Sequence, residues 1–435
     1  MHHSRPEKGR VNHKLKKHGS AGLKTDNVAI IGFSDFGLGR GLYIAEALSS
    51  LGLRITVITN KPIYNPKQQT FGNLLWRPHT RVVEFRIPFA EILYNSIFGR
   101  LIVYLLFGAL SFRELLRLNP RPTVIYSRSP NGPFSDISTL LYKRLNRKVL
   151  TICGITDLLP DCLEYLDMNH VLKRMMLAFG HSINHLVYPR VDRIVTLNDD
   201  MAWILQERFG RGVSVIYGSI DLDVFRPMTK KEAFTALPPE FNLSLNGKFV
   251  VLYAGVMSPF QNPLVIIDIA DQLQQDRKEV VFVAIGSGPL KEELKRQVHE
   301  RCLQNVIVLD VFSHELMPFI YNISDLTIFP PPVLSNPRMY QFFKIALPKK
   351  FIEYTACGKP ILCLTPSCVA SSLCLEWEAG FHVLPEDISE AADMIKTLAK
   401  DAELKKQIGR NARLLAQKLF STESAAITLQ KALYC

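Results

Sequence analysis

Residues 346–363 read ALPKKFIEYTACGKPILC, and the organisation of the chain can be worked outward from them. Pro348 suits the first turn of a helix, where its missing N–H is no loss and its fixed φ is already helical. Gly358 suits the helix end, and Lys359-Pro360 leads into an apolar run of strand type. A helix starting at Pro348 points free N–H groups and its positive dipole end at whatever lies before it, and phosphate is the expected guest. Lys349 and Lys350 add positive charge at the same place. Glu353 stands one turn in, where a carboxylate can accept hydrogen bonds from two adjacent hydroxyls such as those of a ribose. Tyr354 is expected to pack. The bland alternative is a capped amphipathic helix with a solvated glutamate.

Strand-like runs punctuate the sequence on both sides of this segment. Upstream, KFVVLYAG opens a series continued by VVFVAIG, NVIVLD, DLTIFP and PILCL, with helix-length stretches between them and a final helical tract to Cys435. The first half carries NVAIIGF, RITVIT, TVIYS, KVLTIC, RIVTL and VSVIY in the same alternation. Alternation of this kind builds parallel sheets with helices on both faces. The expected fold class is therefore α/β, two doubly wound Rossmann-like domains facing each other across a cleft. Residues 26–225 form the first domain, 226–247 a linker and 248–415 the second domain. Residues 416–435 form a terminal helix that can pack back on the first domain. Ligands bind such sheets at the carboxyl ends of the strands.

Three strand ends carry candidate ligand loops. Gly255 and the following VMSPFQN, with Gln261 and Asn262, close the first strand of the second half. Gly286 and Gly288 follow the next strand and precede a helix expected from Pro289; glycines there let backbone approach a bulky ligand. In the first half, Gly32, Gly37, Gly39 and Gly41 surround Arg40. That cluster invites a dinucleotide reading, but the second strand ends at Thr59-Asn60, without the acidic residue a nicotinamide ribose needs.

Composition sets the class. Of 435 residues, 47% are hydrophobic and 21% charged, which is globular, and no run reaches the roughly 18 apolar residues of a spanning helix. Residues 92–112 come nearest, broken by Asn95 and Arg100; a buried helix is the first expectation and a helix lying in a membrane interface the second. The net charge is +12, and residues 1–25 hold seven Lys or Arg against Glu7, an expected disordered basic tail that an anionic leaflet can attract. No secretory signal is readable there, so the expected address is cytoplasmic, with peripheral attachment to the membrane's inner face. Nucleic acid is not expected as a partner, because no basic patch is interleaved with aromatics. The eight cysteines lack metal-like spacing and read as buried thiols. His181 and His185 belong to a helix surface or its packing, and Arg128 to a charged surface.

The order of these motifs resembles glycosyltransferase family 4, retaining enzymes of the GT-B architecture that include many sugar transferases of bacterial surface polysaccharides. The matching pieces are GFSDFGLGRG, ITDLLPD, VDRIVTLNDDM, YGSIDLDVFRP, LYAG, IGSGPLKEEL, SDLTIFP and LPKKFIEYTACGKPI, spread over residues 27–425. The resemblance implies that Glu353 binds the ribose of a nucleotide-sugar donor and that Lys350 and the backbone before it hold the diphosphate. It implies donor contacts from Gly37, Gly39, Arg40, Gly255, Gln261, Gly286, Gly288, Phe312, Lys349 and Phe351, and catalytic roles for Asp157 and Lys350. No metal and no cofactor is implied, the nucleotide sugar being a substrate. The acceptor would be lipid-linked or a glycan. Two departures stand out: the second glutamate common eight positions before the ribose glutamate is Ile345, and the Arg and Lys common after YAG are absent. Proline and lysine before the ribose glutamate resemble the branch of N-acetylfucosamine and colanic-acid transferases.

Asp157 follows a predicted strand end and is expected either to meet an acceptor hydroxyl or to cap a helix. Asp161 is expected to start that helix. Two other functions remain open on the sequence: a nucleotide-sugar epimerase of the same fold, and a non-catalytic relative that binds a partner at a membrane.

Overall fold

The computed structural model describes residues 27–32, 38–61, 79–128, 134–165, 169–239, 241, 245–275, 279–333 and 337–434. The basic tail, Gly37 and Cys435 lie outside the described residues, as do the side chains of Gly39 to Gly41.

Short β-branched runs buried on both faces form two all-parallel sheets, the arrangement in which strands read as continuous apolar segments. The first contains β1 (Asn27–Ile31), β2 (Arg54–Asn60), β3 (Thr80–Phe85), β4 (Val124–Arg128), β5 (Leu150–Ile155), β6 (Arg193–Thr196) and β7 (Val213–Val215), in the order β3-β2-β1-β4-β5-β6-β7. The second contains β8 (Phe249–Ala254), β9 (Val280–Ile285), β10 (Val306–Leu309), β11 (Leu326–Phe329), β12 (Ile361–Leu364) and β13 (Gly380–Val383), ordered β10-β9-β8-β11-β12-β13. In each sheet the order reverses beside the first strand, so the switch points lie between β1 and β4 and between β8 and β11.

The helices between strands cover both faces. On one face of the first sheet lies α1 (Leu38–Ser50). On the other lie α2 (Ala90–Leu93), α3 (Ile97–Arg117), α4 (Phe134–Leu145) and α5 (His170–Val187), followed toward β7 by α6 (Asp199–Phe209). Between the sheets, α7 (Lys230–Thr235) is capped by Thr229, and Ala233, Leu237 and Phe241 enter the core that β8 shares. The stretch expected as a linker is thus packed onto the second domain. The second sheet carries α8 (Val265–Gln274), α9 (Lys291–Glu300), α10 (Met317–Ile323), α11 (Pro337–Ile345), α12 (Lys349–Ala356), α13 (Val369–Glu376), α14 (Ile388–Lys400) and α15 (Ala402–Leu419). The last helix, α16 (Thr422–Tyr434), returns to the first domain, where Ala425, Ala426 and Leu429 share a core with Val28, Ile44 and Leu48.

Three expectations are corrected. The tract after β12 is not wholly helical, because β13 pairs with β12 between α13 and α14; its four residues are too few to show a period. The edge strand β3 also escaped the sequence reading. The helix expected to be buried, α3, buries Val103, Phe107 and Leu115 on one stripe but exposes Phe98, Ile102 and Leu105 on another. Ser96 starts α3 by accepting the Gly99 N–H at 3.0 Å, and no helix among the described residues is long and apolar enough to cross a membrane.

Candidate donor site at the second switch point

Helix α12 begins directly after Pro348, whose side chain supplies no cap; the Phe351 N–H donates to the Pro348 carbonyl at 3.1 Å, which leaves the Lys349 and Lys350 N–H groups for a ligand. Its second residue, Lys350, reaches across the switch point. The ammonium nitrogen lies 4.3 Å from the ring centre of Tyr253 on β8 and 5.7 Å from that of Phe329 on β11. It is buried and has no hydrogen-bond partner among the described residues. Burial alone pushes its pKa well below the ordinary lysine value, and the two ring faces offset only part of that desolvation. An anion beside it would restore the charge.

Glu353 lies on the next turn, nearly fully buried, with both carboxylate oxygens engaged. Tyr321 donates to Oε2 at 2.6 Å; His314 Nε2 lies 3.0 Å and Lys349 Nζ 3.4 Å from Oε1. Burial by itself would raise its pKa, but His314, Lys349 and Tyr321 together hold it below the usual carboxylate range. Lys349 also approaches His314 Nε2 at 3.2 Å. Lys349, Glu353 and His314, two residues after Phe312, therefore meet at one place. Tyr354 packs as expected: its hydroxyl donates to the Ala254 carbonyl at 3.2 Å and accepts from the Ala254 N–H at 3.0 Å, tying α12 to the end of β8.

The glycines act on backbone. A Cβ on Gly286 would fall 1.9 Å from the Gly255 carbonyl oxygen, and one on Gly288 would fall 2.3 Å from that of Met257. Both have positive φ, so these strand ends are closed against each other by glycine rather than held open for a bulky ligand. Gly255 stands beside the ligand-facing groups: a Cβ there would lie 3.3 Å from Gln261 Oε1 and 3.5 Å from Lys350 Nζ. Phe312 is half-buried and meets Phe241 edge-on at 5.4 Å. The Phe351 side chain is fully buried against Phe329 and Phe420 and its N–H donates to the Pro348 carbonyl, so the residue packs the helix start instead of facing a ligand.

Across from this site, Asp157 follows β5, half-buried, and accepts from the Thr156 hydroxyl at 3.0 Å. Its neighbour Leu158 shares a core with Ile345, the last residue of α11. Ile345 thus plugs into the first domain, and its carbonyl accepts from Asn198 Nδ2 at 2.7 Å. Asp161 opens a 3-10 turn and pairs with Arg208 at 2.6 Å and His181 at 3.3 Å; His185 lies edge-on to Phe209. Arg128 is not at the surface: it is buried at the end of β4. Gly39 and Arg40 start α1 beside that switch point.

Sequence reasoning missed His314, Tyr321, Tyr253 and Asn198. His314 and Tyr321 fall seven residues apart, two helical turns on one face, and that spacing in FSHELMPFIY was the available signal. Tyr253 and Asn198 gave none, since their roles depend on which strand lies beside which.

Two doubly wound parallel sheets in tandem, with the open helix start at the second switch point, define the GT-B architecture. Residues 239–415 match the family described as glycosyl transferases group 1. The alpha-D-kanosaminyltransferase of Streptomyces kanamyceticus is 24% identical over 182 residues, 42% of this chain and 44% of that protein. The O-antigen chain mannosyltransferase C of Escherichia coli is 20% identical over 172 residues, 40% and 43% of the two chains. These matches span less than half the length of either relative. Among solved structures, HepE of Anabaena in complex with UDP has a TM-score of 0.66 at 16% identity, covering 94% of this chain and 99% of that one. The chain has the GT-B architecture, and its residues 239–415 are similar to the group 1 glycosyl transferases.

Proposed function

We propose that this chain transfers a sugar from a UDP-linked donor to a lipid-linked or polysaccharide acceptor, with retention at the anomeric carbon, in the synthesis of a cell-surface glycan. The observation that carries the reading is Lys350: a buried amine without a partner among the described residues, set at a topological switch point beside an open helix start. A diphosphate there would accept from the first N–H groups of α12 and pair with a protonated Lys350, while Glu353 takes the ribose hydroxyls on its Oε1 side. Gln261 and the backbone at Gly255 complete the donor cradle, and the Phe312 loop approaches the base. The UDP complex of HepE supports the choice of donor, and the sugar-transferase relatives support the choice of reaction.

In the transfer step the acceptor hydroxyl attacks the anomeric carbon on the face that the diphosphate leaves. The bond from that carbon to the β-phosphate oxygen breaks, and the departing oxygen takes the hydroxyl proton. Asp157 orients the acceptor from the first domain. The division at residues 226–247, the inner-membrane-face location and the relation to N-acetylfucosamine-type transferases belong to the same proposal. Incubation with a panel of UDP- and GDP-sugars, with thermal-shift screening against UDP, GDP and ADP, tests it. Donor hydrolysis or transfer supports the assignment. Epimer formation would reassign the site to isomerisation, and absence of any nucleotide-dependent shift would leave only a binding role.

A further inference from the structure

Helices α3, α4 and α5 lie side by side on one face of the first sheet, and each turns apolar side chains outward. On α5 the outward apolar residues include Val171, Met175 and Phe179, about one per turn; on α3 they include Phe98, Ile102 and Leu105. Their exposures run from 45% for Ile102 to 69% for Val171, well beyond isolated surface leucines, and Leu141 and Leu145 of α4 continue the surface between them. The exposed charges on the same helices are mostly positive, and the one acid of α4, Asp136, is buried. Helix α5 carries Lys173 and Arg174 and no acid, and α3 carries three arginines against Glu114, which Arg113 and Arg117 already flank.

We propose that this face docks on an anionic lipid surface, with the α3 and α5 ridges entering the headgroup boundary and the flanking Arg and Lys meeting lipid phosphates. The inference rests on the proposed membrane location and names the surface responsible for it. Outward apolar ridges bordered by cations are the pattern of helices that lie in a bilayer interface. A second copy of the chain fits less well, because a two-fold contact would set this basic face against itself. The face belongs to the first domain and is separate from Lys350 and Glu353, so vesicle binding and nucleotide binding can fail independently.

The test is co-sedimentation of the full chain with vesicles of phosphatidylcholine alone and of phosphatidylcholine with phosphatidylglycerol. Binding to the anionic vesicles is expected, weakened as salt rises from about 0.1 M. The double variant M175E/F179E should lower it by about tenfold or more, and R174E should do so to a smaller degree. The UDP-induced thermal shift should stay unchanged in both, which reports an intact fold. Equal vesicle binding by M175E/F179E and the parent chain overturns the assignment, as does failure of the parent to bind anionic vesicles. A dimer in sedimentation equilibrium that M175E/F179E dissociates would make the face a self-interface instead.

Discussion

Tyr321 donates a 2.6 Å hydrogen bond to Oε2 of Glu353 from the neighbouring helix α10, so one oxygen of the carboxylate is fixed before any ligand arrives. The other oxygen faces His314 and Lys349, side chains that can swing away toward solvent. A ribose could therefore replace the partners of Oε1 while Tyr321 holds the carboxylate in place. Tyr321→Phe removes that anchor and leaves a buried oxygen unsatisfied. UDP affinity measured by calorimetry should fall by about 1–3 kcal/mol, the range for a hydrogen bond to a charged group. Unchanged affinity would mean that Glu353 does not touch the nucleotide.

Lys350→Met separates stability from function. The methionine has similar reach and no amine to desolvate, so the unliganded protein should melt at a higher temperature, a gain of about 1–3 kcal/mol from relieving an unpaired polar group. UDP should then produce little or no thermal shift. A variant that melts lower, or still responds fully to UDP, would contradict the placement of the diphosphate.

The same lysine predicts a pH dependence. Its pKa is depressed in the free protein by burial, and a neighbouring diphosphate raises it toward the ordinary value. Binding therefore takes up a proton. Affinity is fully present below the free value and falls as pH rises between the free and bound values, with a slope in log Ka of up to about −1 per pH unit. Kd for UDP measured as pH rises toward the ordinary lysine value should show the loss in the parent chain and not in Lys350→Met. A flat profile in both would place the phosphates elsewhere.

Much of this was legible in the sequence because it is local. The helix beginning after Pro348, the carboxylate one turn in and the glycines after β8 and β9 are read from neighbours within a few residues. What was not legible depends on long-range pairing. Tyr253 and Phe329 face Lys350 only because β8 and β11 are adjacent at the switch point, and strand order is not written in any one segment. The edge strand β3 failed because Arg81 and Glu84 break its apolar run and none of its six residues is fully buried, and β13 failed because Gly380 and His382 break a run of only four. The outward stripe of α3 failed for a different reason: an apolar residue looks the same in sequence whether it faces a core or a lipid. Gly286 looked like a ligand glycine, yet its close neighbour is the Gly255 carbonyl, a contact across two strands.

Ile345 shows why a departure from a motif need not mark a dead site. Where many relatives of this type place a second glutamate, this chain has an isoleucine buried among Leu158, Leu197 and Met201 of the first domain, with Asn198 bonded to its carbonyl. The residue joins the domains rather than reaching for the sugar. Restoring the motif with Ile345→Glu should not create a sugar contact, because the carboxylate would enter an apolar cluster without a partner. Its desolvation would destabilise the interdomain contact by several kcal/mol in the range of about 2–7, and Ile345→Ala, which only opens a cavity, should destabilise it by about 2–5 kcal/mol. Limited proteolysis and thermal melting check both. If Ile345→Glu melted like the parent chain and transferred sugar faster, the side chain would have to face the donor, and the packing described here would not be the catalytic arrangement.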